Sequence, residues 1–204
     1  RRRIFANVEN FRLYDLHTPS GAVDENLFAY SNYADGQAGL VIYHNHYGET
    51  SGWIKTSVPY LVKYGDDSAL HTQDLADALF LEGSPWAYVL FKDSITGLTH
   101  LLSLDDLRTK GMYVHAGPYE HHVYSGFKIV EGEEYAAIYQ YLQGSGVSDL
   151  EYLRLNLRYA PLADALTQVL DLAISTPDPD KSAKTSESSS ESAVLSQFRQ
   201  AVQQ

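Results

Sequence analysis

Ala38-Gly39-Leu40-Val41-Ile42-Tyr43 is the stretch on which the fold turns. It is too short for a helix, nearly all apolar, and rich in β-branched and aromatic side chains. That pattern describes a central strand buried on both faces. Just before it, Asp35-Gly36 is a hairpin turn signal, which joins it to a second strand at Leu27-Phe28-Ala29-Tyr30-Ser31. Further back, Phe11 to Leu16 alternates with period two, with Phe11, Leu13 and Asp15 on one face. His17-Thr18-Pro19-Ser20-Gly21 then reads as a turn cluster.

Beyond the central strand, Gly48 to Gly52 reads as a loop and Trp53 to Tyr64 as strand interrupted at Pro59. Trp86 to Lys92 is a strongly apolar strand, which argues for Trp86 in the core, and Asp93 to Gly97 is its turn. Leu98 to Leu102 returns, and Met112 to His115 and His121 to Ile129 are the last strand segments. Leu75 to Leu81 reads as a short helix. Ser103 to Leu107 begins another, capped by Ser103 and stopped by Gly111. The expected architecture is mainly β: an antiparallel β-sandwich over residues 11–131, followed by a small α-helical extension over residues 132–174. Residues 1–10 read as the remnant of a preceding domain or a linker. In the extension, Glu133 to Gln143, Val147 to Arg158 and Pro161 to Ala173 read as three helices, with Pro161 in a first turn. Residues 175–192 are polar and low in complexity, the composition of a disordered linker. Residues 193–204 carry Val194, Leu195, Phe198 and Val202 at the spacing of a short amphipathic helix.

Composition removes several classes of function. The 204-residue chain can bury roughly 70% of its unfolded surface, so it needs no metal or disulfide staple. It has no cysteine, which excludes disulfides, thiolate metal sites and a cysteine nucleophile. The net charge of −11 repels phosphate backbones, and the triplet Arg1-Arg2-Arg3 is too small to reverse that. We therefore expect no nucleic-acid partner. No apolar run approaches the roughly 18 residues of a membrane span, so no membrane partner is expected either. The only methionine is Met112, which suggests a piece of a longer protein whose targeting signals lie elsewhere. Compartment is left open, with the cytoplasm slightly favoured.

Two residue sets carry candidate chemistry. The first is His44-Asn45-His46 with Glu49, joined by His121 or His122. Two histidines at strand spacing share a face, as metal ligands on a cupin-like barrel would. This alternative makes the chain a metal-dependent enzyme or sensor using His44, His46, Glu49 and His121, although the His46–Glu49 spacing is shorter than the cupin pattern. The second set is aromatic: the chain holds 16 tyrosines and two tryptophans. Rings with polar tips stack on sugar faces as well as on one another. Trp53 and Tyr60 are the candidate sugar contacts. No phosphate-cradling glycine loop and no nucleophile elbow occurs.

Three stretches resemble one family. Arg3 to Phe11 (RIFANVENF) looks like the exit from the last barrel helix of alpha-amylase-type enzymes, glycoside hydrolase family 13. Asn26 to Asn45 (NLFAYSNYADGQAGLVIYHN) resembles a strand pair of their C-terminal β-domain, with a buried strand ending in a polar turn. Tyr113 to Phe127 (YVHAGPYEHHVYSGF) resembles that domain's closing strand. The resemblance runs from Arg1 to about Glu131. It implies a parent enzyme that cuts or transfers α-glucosidic bonds using barrel-borne Asp and Glu residues. Those barrel motifs are absent here, so the resemblance assigns no catalytic residue and no cofactor. It implies a non-catalytic sandwich whose partners are the catalytic barrel of the same chain and an α-glucan. The helical extension departs from the family pattern, and a second alternative is a β-sandwich module whose helices hold a partner protein.

Overall fold

The structure is a computed structural model, and it describes residues 3–65 and 67–175. The expected linker and short helix at 176–204 lie outside the described residues. The chain divides into two compact units, Arg1–Leu150 and Glu151–Gln204.

The first unit is built on one eight-stranded, curled antiparallel sheet. In chain order its strands are β1 (Arg12–His17), β2 (Val23–Ala34), β3 (Gln37–His44), β4 (Thr50–Ile54), β7 (Tyr88–Asp93), β8 (Thr99–Ser103), β9 (Met112–Ala116) and β10 (His121–Val130). A separate hairpin, β5 (Tyr60–Tyr64) and β6 (Asp67–His71), follows β4. The order across the sheet is β8-β7-β10-β3-β2-β1-β4-β9. The mainly-β sandwich expected from the sequence is thus made by one sheet curling over its own core.

Local chemistry explains the strand ends. Asp35 and Gly36 both take positive φ (53° and 74°), the conformation a two-residue hairpin loop requires, and Ala34 pairs with Gln37 across it. Ser103 caps α2 (Leu104–Thr109) by accepting the Asp106 N–H at 3.2 Å, and Gly111 follows with φ 87°. The inward residues Leu16, Leu40, Ile42, Ile54, Val89 and Phe91 form the core. Leu75 and Ala78 of α1 (Leu75–Ala78) and Leu104 and Leu107 of α2 belong to the same cluster, so the two short helices close the concave side. Tyr14 reaches into that core with its hydroxyl 2.7 Å from the Ser31 hydroxyl. Burial pushes the Tyr14 phenol up to about 12, against the opposing pull of that hydrogen bond.

Several expectations change. On β1 the buried pair is Tyr14 and Leu16, and Leu13 faces out. β3 is buried on both faces only at Ala38–Leu40, because Ile4 and Phe5 lie over Gly39; farther along, Tyr43 is exposed. The segment read as a remnant or linker is therefore packed on the sheet. Asn32, fully buried, donates from Nδ2 to the Ile4 carbonyl at 2.6 Å and to the Asn7 carbonyl. Asn32→Ala removes both bonds at a cost of about 1–3 kcal/mol. Hydrogen exchange checks this: the Ala6 and Phe11 amides, each closing a local turn, should exchange faster while the β3 amides keep their protection.

Helix α3 (Glu133–Leu142) packs on β8 in this unit and buries Ile138 and Leu142. The chain then returns to β8, where Thr99 and Val147 exchange both backbone hydrogen bonds at 2.8 Å and cover that edge. In the second unit, the two helices expected on either side of Pro161 form one continuous helix, α4 (Leu150–Ser175). Proline costs that helix one hydrogen bond to the carbonyl four residues back, and the apolar spacing on both sides continues without a break. No described helix is long and apolar enough to cross a membrane.

Candidate functional site

Trp53 sits on β4 with its side chain half-exposed, because Thr50, Gly52 and Ile54 take the inward face. Its neighbours across the sheet are His17 on β1 and Tyr113 on β9. The Trp53 and Tyr113 rings meet edge-on, with centroids 5.1 Å apart and planes at 62°. Tyr113 is 53% exposed. Two residues along the same face, Ser51 pairs with the exposed His115. The outer surface of β1, β4 and β9 therefore presents an aromatic pair bordered by two imidazoles and a hydroxyl.

Tyr60 is in a different environment. The Arg12 guanidinium lies 3.8 Å over its ring, and Arg12 also donates to Gln73 Oε1 at 2.9 Å. One face of Tyr60 is thus occupied by a cation–π contact. Trp53 pairs with His17 at one end of β1, whereas Tyr60 lies under the guanidinium of Arg12 at the other end. Tyr113, which the sequence reading did not single out, is the residue that meets Trp53; period two around the buried Met112 and Val114 was the available signal. Trp86 is also corrected: it is 73% exposed in the turn before β7, and Ala87 is the residue that turns inward.

The histidines are dispersed. His44 ends β3 on the inward face, buried, and donates Nδ1–H to the Gly117 carbonyl at 2.8 Å. His46 lies beyond the strand, exposed, and its Nδ1 accepts the Gly48 N–H at 2.9 Å. His121 faces outward opposite Tyr43, while His122 faces inward opposite Ile42. Among the described residues no three His, Asp or Glu side chains gather so as to hold a metal ion, so His44, His46, Glu49 and His121 do not make the cupin-like centre. Strand parity is the reason: His44 and His121 belong to opposite faces.

The buried polar cluster lies elsewhere. Asp93, at 0% exposure, ends β7 and accepts from His122 Nδ1 at 2.9 Å, Ile95 N–H at 2.9 Å, Thr96 Oγ1 at 2.8 Å and Val123 N–H at 3.3 Å. Burial alone would raise its pKa; the hydrogen bonds from His122, Ile95, Thr96 and Val123 together outweigh that and hold the carboxyl down at about 2. The other His122 nitrogen lies 3.2 Å from Glu120 Oε1, and Glu120 Oε2 accepts the Gly117 N–H at 2.7 Å. Both carboxylates are thereby committed to backbone and imidazole donors. The arrangement ties the β7–β8 turn to β10; an enclosed Asp93 has no access to a glycosidic oxygen.

Two concavities flank the β2–β3 hairpin. One, of about 410 Å³, is lined by Arg3, Asn7, Glu9, Asn10, Tyr33 and Asp35. The other, of about 230 Å³, includes Phe80, stacked on Tyr33 with centroids 4.0 Å apart. Comparison with known proteins found no matching family model, no similar curated protein and no similar solved structure.

Proposed function

We propose that the chain is the non-catalytic C-terminal β-sandwich region, with its helical extension, of an alpha-amylase-family glycoside hydrolase acting on α-glucans. In this reading it stabilises the catalytic barrel of its own chain and contacts glucan at Trp53 and Tyr113. The observation that carries the reading is the pairing of half-exposed Trp53 with exposed Tyr113, bordered by His17, Ser51 and His115. Pyranose rings offer apolar C–H faces for stacking, and two aromatic planes at 62° suit the curved outer surface of an α-linked chain. Imidazole and hydroxyl groups beside the rings can exchange hydrogen bonds with sugar hydroxyls. The docked segment at Ile4 and Phe5 would give a preceding barrel a firm attachment to the sheet.

Calorimetric titration with maltoheptaose tests this. Trp53→Ala should abolish measurable binding, and Tyr113→Ala should weaken it by at least about tenfold, equivalent to about 1.4 kcal/mol. Tyr60→Ala should leave it unchanged. The wild-type chain should release no reducing ends from starch. Starch cleavage by this chain, or wild-type affinity in the Trp53→Ala variant, would overturn the reading.

A further inference from the structure

We propose that the turn Gly117–Glu120, which joins β9 to β10, is held closed by the imidazolium of His122 and opens when that ring loses a proton. Two observations meet there. The first is the reach of His122: its Nδ1 lies 2.9 Å from Asp93 Oδ2 and its Nε2 lies 3.2 Å from Glu120 Oε1. A neutral imidazole has one N–H and one bare lone pair, so only the imidazolium donates to both carboxylates. The second is the turn itself. Tyr119 has φ 56°, in the left-handed region that glycine or asparagine usually fills and that costs a bulky side chain strain. Glu120 holds that conformation: its Oε2 accepts the Gly117 N–H at 2.7 Å, and its own N–H donates to the Gly117 carbonyl at 3.3 Å. One carboxylate therefore has His122 on one oxygen and the strained turn on the other.

The neighbours decide which proton leaves and which partner moves. Asp93 is enclosed and held at about 2, so it stays charged and keeps the remaining proton on Nδ1. The bare Nε2 then sets a lone pair against Glu120, whose side chain is 43% exposed and swings into water, releasing Gly117. On β8, burial pushes the His100 imidazole down, against the pull of Asp93. On β10, the Tyr124 ring stacks on His122 with centroids 5.5 Å apart, and burial pushes its phenol up. On β3, His122 lies opposite the apolar Ile42. His44 donates Nδ1–H to the Gly117 carbonyl at 2.8 Å, a bond it makes in either charge state. Its backbone N–H donates to the Glu120 carbonyl at 2.9 Å, so the His44 amide reports the opening from outside the turn.

Nuclear magnetic resonance of the full chain tests this from about pH 5.5 to about pH 8.5, across the range in which histidines change charge. The Gly117 amide proton should start far downfield, bonded to a carboxylate, and move upfield as pH rises. Protection of the His44 amide against hydrogen exchange, corrected for intrinsic rate, should fall about tenfold, the scale of the left-handed strain released. Long-range imidazole spectra should show both His122 nitrogens protonated while the turn is closed, with Nε2 losing its proton in step with the Gly117 shift. Glu120→Gln separates the device from a general loosening. Its carboxamide oxygen still accepts the Gly117 N–H and its NH2 donates to a neutral Nε2, so this turn should stay closed at about pH 8.5. His100→Phe should keep the wild-type profile. Gly117 and His44 amides unchanged across the range, or a bare His122 nitrogen in the closed turn, overturns the proposal. So does a Glu120→Gln variant that opens like the wild type, or a His100→Phe variant that loses the profile.

Discussion

Asp93→Ala should lower the unfolding free energy by about 3–5 kcal/mol, the cost of leaving several buried hydrogen-bond donors without the carboxylate that satisfied them. For a domain of this size that moves Tm down by on the order of 10 °C. The cause is specific: the substitution strands the Ile95 and Val123 N–H groups, the Thr96 hydroxyl and His122 Nδ1 around an enclosed gap. Acid should reproduce part of the loss in the wild type. A carboxyl held at about 2, against an ordinary 3.8, stabilises the fold fully above its unfolded value. That contribution, about 2 kcal/mol, fades as pH falls from about 4 towards 2. Chemical denaturation at a series of pH values should show the wild type declining more steeply than Asp93→Ala across this window. Parallel profiles would contradict the assignment. His122, Glu120, His100 and Tyr124 are the other titratable groups around this carboxyl, and all remain in the variant.

Gly52→Ala should be nearly as damaging, for a steric reason. A Cβ at Gly52 would stand 2.3 Å from the His17 carbonyl oxygen and 2.8 Å from its carbon. Neither backbone can yield without parting β1 from β4, so we expect a loss of about 3 kcal/mol. Gly36→Ala is the control. It has φ 74° but no neighbour within 4 Å of the added atom, so it should cost only the left-handed backbone strain of about 1–2 kcal/mol. Equal losses in a thermal-melt comparison would contradict the close-approach account. Gly52→Ala carries a functional consequence as well. Among the described residues β9 pairs with β4 alone, so loosening β4 displaces Trp53 and Tyr113 together.

The same glycine shows where sequence reading stops. Gly48 to Gly52 reads as a loop because two glycines flank polar residues, yet Thr50 to Ile54 is a strand. Glycine is there to admit the His17 backbone, a tertiary reason that local pattern does not carry. Where the signal was local, reading succeeded. Asp35-Gly36, the Ser103 cap and the turn from Asp93 to Gly97 are each encoded within a few residues. Burial at strand ends was harder. Trp86 belongs by composition to an apolar run, but the turn places it two residues before the strand and leaves it in water. The histidines misled for a related reason. Sequence spacing sets parity within β3, whereas the face of His121 depends on its register with Tyr43, which only pairing reveals. Of the aromatic platform, Trp53 was legible and Tyr113 was not, because the β4–β9 pairing spans some sixty residues of intervening chain.

The account rests on the Trp53–Tyr113 face being a glucan surface. The chain has two tryptophans, so its indole N–H region in a ¹H–¹⁵N correlation spectrum holds two signals, one from Trp53 and one from Trp86. Titrating maltoheptaose while recording that spectrum is the most direct test. The account predicts a progressive, saturable shift of the Trp53 signal while the Trp86 signal stays in place. A Trp53 signal unmoved at saturating sugar, or a shift at Trp86 alone, would contradict it.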